Sequence, residues 1–270
     1  MYLNNKVLKE FLDGLYLKYR NKYSSDDPVW ILHRFCDERD IETAGLIVSC
    51  YAYGQVPLIN KFISNFFNSI DFKVYEFTSN FSQQKDKKFL NRFCYRFNSG
   101  EDLALLFRNM QRIISKYGSL KNYFLLNYCH EHENVLFALT AFSDELNKFS
   151  GKSPGYGYLI PRVQNNSACK RLNLYLRWMV RKDDIDFGIW NNVGKSKLIM
   201  PVDTHVFRVV SNLKMVKRKT CDMRFALELT EKLKQFDKDD PVKYDFALCH
   251  LGIDGKLNSK LPEVQSAISH

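Results

Sequence analysis

The stretch Ser167–Arg181, SACKRLNLYLRWMVR, decides the fold class, because it reads as one helix and lies next to the residues richest in chemistry. Leu172, Tyr175, Leu176 and Met179 recur at spacings of three and four, which lines them up on a helix that turns about 100° per residue. Lys170, Asn173, Arg177 and Arg181 fall on the opposite side, which predicts a polar outer face. Upstream is the clearest irregular stretch, Gly151 to Asn166, with Pro154, Gly155, Gly157 and Pro161. Downstream, a polar connection over 182–198 leads to MPVDTHVFRVVSNL, where Asp203 stands at a helix-cap position ahead of Val206, Val209, Val210 and Leu213. A further helix is expected from about Asp222 to Phe236. The last starts at Asp240-Pro241, a cap followed by proline in the first turn, and stops near Gly252.

The same period runs through the rest of the chain. Val7, Leu8, Phe11, Leu12, Leu15 and Tyr19 form one stripe, and Ile59, Phe62, Ile63, Phe66, Phe67 and Ile70 another. Val135, Leu136, Leu139, Phe142 and Leu146 continue it, and Glu42 to Gln55 is apolar nearly all round, as in a helix buried inside a bundle. No strand alternation or hairpin signal competes. The class is all-α with about nine or ten helices. At 270 residues the chain forms either one domain or two lobes sharing an interface.

Composition narrows the partners. No apolar run reaches the roughly 18 residues of a membrane span, and the N-terminus builds no signal-peptide core, so an intracellular, cytoplasmic protein is expected, nucleoid-associated if bacterial. The seven cysteines form no CxxC pair, and only Cys221 and Cys249 follow Asp203, which argues against zinc, an iron–sulfur cluster or any other metal or cofactor. The net charge is +10, and residues 151–219 hold 14 basic and 4 acidic side chains, equal to the whole excess. Such a field favours a polyanion, usually nucleic acid, although a solvated basic surface has the same composition.

A first-turn lysine after a loop, and an aspartate at a later helix start, are a suggestive pair. Neutral Lys170 could attack a sugar carbon, and partial burial or a cationic neighbour such as Arg171 favours the neutral amine. Asp203 could balance positive charge as a glycosidic bond breaks. Equally, Lys170 could sit on the surface or bind phosphate, and Asp203 could be a plain N-cap. Spacing alone does not bring the two together.

Pro201-Val202-Asp203-Thr204-His205-Val206-Phe207-Arg208-Val209 resembles the aspartate segment of the helix-hairpin-helix DNA glycosylases, especially the endonuclease III type. Lys170-Arg171-Leu172-Asn173-Leu174-Tyr175-Leu176 is similar to the segment after the hairpin in that superfamily, which begins with its catalytic lysine. Ala44-Gly45-Leu46-Ile47-Val48-Ser49 resembles its buried early helix. The likeness is best over about residues 159–252 and weaker over 40–70. Two departures stand out. Gln164-Asn165-Asn166-Ser167-Ala168-Cys169 carries no glycine where the family's hairpin has one, and Lys170 and Asp203 are further apart than in endonuclease III. The longer connection looks like the archaeal 8-oxoguanine glycosylase branch, which lacks the iron–sulfur cluster, and an uncharacterised bacterial family looks closer still.

The resemblance implies one two-lobed helix-hairpin-helix glycosylase unit over 1–270, with the active site between the lobes and the hairpin, catalytic pair and basic segment over 151–219. It implies base-excision DNA repair by a monomer acting on double-stranded DNA that contains a damaged base. Lys170 would form a Schiff base and support AP-lyase cleavage, with Asp203 stabilising the sugar cation and an oxidised purine, 8-oxoguanine first, as substrate. Arg171, Lys195, Lys197, Lys217, Arg218 and Lys219 are the DNA-binding candidates. Asp245, Phe246, Cys249, Tyr51 and Trp190 are the base-pocket candidates. The competing expectations are a monofunctional glycosylase for alkylated bases, in which Asp203 activates water, and a non-catalytic DNA- or RNA-binding module of the same fold.

Overall fold

A computed structural model describes residues 4–21, 26–151, 153–165 and 167–253. Asn166, inside the segment assigned to the hairpin, and the tail beyond 253 lie outside the described residues. Among the described residues the chain is all-helical, with only two isolated β-bridges, Tyr95–Asn98 and Lys182–Phe187.

Helix α1 spans Asn5–Tyr19 and buries Leu8, Leu12, Leu15 and Tyr19 from its apolar stripe. A 3-10 turn, Pro28–Arg34, leads to α2 (Glu38–Tyr51), α3 (Val56–Asn68), α4 (Val74–Ser79) and α5 (Gln83–Leu90). Next come α6 (Gly100–Tyr117), α7 (Leu120–Leu126) and α8 (Leu136–Leu146). In α6, Ser99 and Asp102 form a reciprocal capping box that satisfies orphan amides at the helix start. The irregular 151–166 stretch contains a short helix, α9 (Pro154–Leu159), and a 3-10 turn, Val163–Asn165. Then follow α10 (Lys170–Val180), a turn Lys195–Lys197, α11 (Thr204–Asn212), α12 (Met223–Lys234), a turn Pro241–Tyr244, and α13 (Asp245–Ile253). The helix count exceeds the sequence expectation because several helices are too short to show a full period.

Packing sorts these elements around α10. Helices α4, α5, α7, α8 and α9 pack on α6, or on one another beside it, while α2 lies against α4, α7 and α10. Helix α1 crosses to the C-terminal end of the chain and packs on α13, which also packs on α11. Gly45 lies at the α2–α10 contact, where a Cβ would stand 2.8 Å from the flexible terminal methyl of Met179. At Gly252 a Cβ would stand 2.8 Å from His205 Cβ and 3.0 Å from its carbonyl oxygen, so α13 reaches α11 only with glycine at the contact.

The polar outer face expected for α10 is overturned. Every residue from Leu172 to Val180 is buried, and Asn173, Arg177 and the C-cap Arg181 are 1–2% exposed. Carboxylates from three segments converge on the two guanidiniums. Arg177 pairs with Asp245 at 2.7 Å and with Asp186 at 3.1 Å, while Arg181 pairs with Asp183 at 3.1 Å, Asp240 at 2.8 Å and also Asp186. Burial alone would lower both arginine pKa values, but the facing carboxylates outweigh it and raise them. Periodicity placed these side chains correctly opposite the apolar stripe; it could not reveal a second layer waiting there.

Removing one member of such a network leaves unpaired buried charge. Arg177→Met should destabilise the fold by about 3–5 kcal/mol in denaturant unfolding. Adding Asp245→Asn should recover part of that loss. A cost below about 1 kcal/mol would mean that the network does not hold α10 in place.

Candidate active site

A cavity of about 490 Å³ opens where the end of α2, the start of α10, the start of α11 and the middle of α13 meet. Lys170 and Asp203 both line it, although they are 33 positions apart. Lys170 Nζ lies 4.0 Å from Asp203 Oδ2 and donates to the Ala52 carbonyl at 3.5 Å; the two side chains keep 24% and 21% exposure. Asp203 divides its two oxygens. Oδ1 caps α11, accepting from the His205 and Val206 amides at 2.9 and 2.8 Å. Oδ2 faces Lys170 and accepts from the Cys249 thiol at 3.5 Å. The cap and the cavity-facing carboxylate are thus one residue serving both ends. Burial and the neighbouring Asp203 charge push the Cys249 pKa well up, so it is a neutral donor to that oxygen.

The backbone ahead of Lys170 takes a conformation that glycine most often supplies. Cys169, the N-cap of α10, sits at φ 47° and ψ 39°, the left-handed conformation that favours glycine. The Ser167 hydroxyl accepts from its amide at 3.1 Å, and the thiol is buried beneath the Pro161 carbonyl. The chain therefore enters α10 through a left-handed residue that is not glycine, held by these contacts.

The DNA-binding candidates separate into three situations. Arg171 lines the cavity, but its guanidinium donates to the Cys50 carbonyl at 3.1 Å and to the Tyr158 carbonyl, and stacks over the Tyr158 ring. Burial lowers its pKa. Lys195 reaches Asp240 at 3.6 Å, and Lys197 donates to the His132 carbonyl at 2.8 Å. Lys217, Arg218 and Lys219 line a second concavity together with Lys214, and there Arg218 is already paired with Asp222.

The base-pocket candidates do not lie together. Cys249 lines the cavity; the other four do not. Asp245 is drawn inward by Arg177. Phe246 packs against Trp30 and His250. Tyr51 is buried against Phe62 and Tyr95. Trp190 donates from Nε1 to Glu42 at 2.9 Å inside an aromatic cluster with Phe124 and Tyr175. Tyr53, two residues beyond Tyr51 and past the end of α2, turns into the cavity instead.

Two features of the site had escaped the sequence pattern. One is Asp27, whose carboxylate joins the cavity wall from the N-cap of the first 3-10 turn. Asp27-Pro28 is a cap-and-proline signal of the kind recognised at Asp240-Pro241, and it could have been found the same way. The other is an aromatic rim. Tyr53, Phe97 and Tyr158 contact one another with ring centroids 4.7–5.6 Å apart, and Phe97 and Tyr158 remain 56% and 43% exposed. Exposed rings beside arginine suit stacking on nucleobases. Among the described residues no group of three or more His, Cys, Asp or Glu side chains could hold a metal ion, and no helix is long and apolar enough to cross a membrane.

The chain belongs to the family described as protein of unknown function (DUF2400), whose model matches residues 27–254. No curated protein and no solved structure matches it.

The left-handed turn generates a stability test. Cys169→Val places a β-branched residue at positive φ and should cost about 1–3 kcal/mol. Cys169→Gly should stay within about 1 kcal/mol of the parent, because relief of the turn offsets the lost thiol packing. Equal losses from both variants in thermal unfolding would show that packing, not backbone conformation, sets the requirement.

Proposed function

We propose that this protein is a DNA glycosylase with AP-lyase activity, acting in base-excision repair on double-stranded DNA that carries an oxidised purine, 8-oxoguanine first. The observation that carries the reading is the meeting of Lys170 Nζ and Asp203 Oδ2 at 4.0 Å on one cavity wall. In this reading the α2–α9 group and the α1, α11–α13 group are the two lobes of a helix-hairpin-helix glycosylase, with α10 at their junction. The turn through Cys169 is the hairpin's exit. The cavity volume suits one flipped base with its sugar, since small-molecule sites span about 300–1,000 Å³.

The residues would act in sequence. The duplex lies across the helix starts and the basic concavity of Lys214, Lys217 and Lys219, with the target nucleotide rotated into the cavity. Lys170, as the free amine, attacks the anomeric carbon of the deoxyribose; the glycosidic bond breaks, and its electron pair leaves with the base, which takes up a proton. Asp203 Oδ2 accepts the lysine proton and faces the cationic sugar as that bond opens. The sugar ring then opens to a protonated Schiff base on Lys170. Loss of a proton from the adjacent carbon expels the 3′ phosphate by β-elimination.

Borohydride reduces such a Schiff base and fixes protein to DNA. Lys170→Gln should abolish both trapping and nicking while leaving duplex binding intact. Asp203→Asn keeps the cap on α11 but removes the charge, and should slow base release at least tenfold, or about 1.4 kcal/mol. Trapping by Lys170→Gln would move the nucleophile elsewhere. Base release without any trapping by the parent protein would favour the monofunctional alternative, with Asp203 activating water.

Phosphate contacts should also make binding salt-dependent, with each one contributing a log–log slope of about −0.9. Lys217→Glu with Lys219→Glu should weaken binding to damaged and undamaged duplex alike and flatten that slope. Affinity that does not change between low and moderate salt would remove the electrostatic part of the reading.

A further inference from the structure

The proposed mechanism uses one of the two carboxylates on the cavity wall and gives Asp27 no catalytic part. Asp27 precedes the 3-10 turn Pro28–Arg34, and its Oδ1 accepts from the Val29 amide at 2.9 Å, which fixes the side-chain direction. Its Oδ2 lies 3.8 Å from His250 Nε2, and the side chain is 23% exposed on the cavity side. Burial pushes this carboxyl's pKa up, but the His250 hydrogen bond, the Val29 amide and the His250 and Lys170 charges outweigh it, leaving the pKa below its ordinary value. The group is therefore an ionised acceptor that cannot donate.

An acceptor-only group selects its ligand by the ligand's donors. An ionised carboxylate attracts a ring N–H and repels a ring nitrogen lone pair. Ordinary purines present a bare N7 acceptor at the imidazole edge, whereas oxidation at C8 converts that nitrogen to N–H. Several groups around the lysine are already engaged or offer only ring faces. Ala52 offers a backbone carbonyl already engaged by Lys170, Cys249 is committed to Asp203, and Tyr53 and Tyr158 offer ring faces that accept any base.

Resting on the glycosylase reading, we infer that Asp27 is the specificity-determining residue of the cavity, accepting a hydrogen bond from a ring N–H of a flipped purine lesion. Asp245, one of the base-pocket candidates, is taken up by Arg177 and does not line the cavity. In this proposal Lys170 and Asp203 serve the sugar, and Asp27 serves the base.

That division gives the experiment. An abasic site retains the sugar and lacks the base, so it reports on Lys170 without Asp27. The full chain and its Asp27→Asn variant are compared on duplexes holding 8-oxoguanine, guanine or a preformed abasic site at one position. The amide keeps an oxygen for the Val29 amide, and thermal unfolding of both proteins verifies that the variant folds. The expected result is a loss of at least tenfold in 8-oxoguanine release, with borohydride trapping on the abasic duplex unchanged. Equal losses on both substrates by a folded variant would make Asp27 a partner of the lysine and overturn the base-reading role. Unchanged 8-oxoguanine release would overturn it as well. If Asp27→Asn does not fold, Asp27→Glu, which keeps the charge and moves it by one methylene, must show the same split between substrates, or the proposal falls. Parent protein that neither releases 8-oxoguanine nor traps on abasic DNA would instead sink the glycosylase reading itself.

Discussion

Two arginines buried in the middle of the molecule set the geometry of everything near the cavity. Arg177 and Arg181 lie at the C-terminal half of α10, and the same helix presents Lys170 at its other end. Their carboxylate partners come from the loop after α10, from Asp240 ahead of the last turn, and from Asp245 at the first residue of α13. Burying charge costs several kcal/mol per ion, and the cost is offset only when pairing geometry is good on every side. The network therefore tolerates little sliding of α10 against α13. Because α13 carries Cys249 and α11 packs on α13, one set of ion pairs also restricts where Asp203 stands relative to Lys170.

The same logic shows which parts of the protein could be read from sequence. The all-α class, the buried α2, the cap at Asp203 and the boundaries of α12 follow from local periodicity and capping, and they stand in the structure to within a few residues. Contacts set by tertiary structure were not legible. Arg177 and Arg181 look like an exposed face until carboxylates more than fifty positions downstream are placed against them. Asp245 looks available for a ligand until its arginine is known. Trp190 and Tyr51 look like ring donors to a pocket, and both lie in the interior because hydrogen bonding or aromatic packing consumes them. The pairing of Lys170 with Asp203 came within reach of the sequence only through likeness to a family; nothing in their spacing demands it.

The turn ahead of Lys170 belongs to a third kind, in which local chemistry and local pattern disagree. A glycine would adopt the left-handed conformation without strain, and Cys169 adopts it at a cost of about 1–2 kcal/mol. What holds it is burial of the thiol and the short polar contact to Ser167. Stored strain of this size is common where a side chain must be aimed, and the next residue along is the lysine that faces the cavity. The left-handed entry to α10 therefore does not require glycine, because packing holds Cys169 in that conformation.

The charge of the molecule finally has to be divided by place rather than summed. Of the fourteen basic side chains in residues 151–219, Arg177 and Arg181 face inward and are balanced by aspartates, so they add nothing to an external field. Arg171 is spent on backbone carbonyls at the cavity rim, and Lys195 and Lys197 reach an aspartate and a carbonyl. Lys214, Lys217 and Lys219, grouped around one concavity, remain as the surface cluster. Long-range attraction of a polyanion depends on such clustered surface charge, which salt screens over about 8–10 Å, and not on the formal total. The cavity is different, with Asp27 and Asp203 set beside Lys170 and Arg171, so its charges are balanced at short range. The surface lysine cluster and the paired charges of the cavity are electrostatically separate, because screening confines each field to its own part of the molecule.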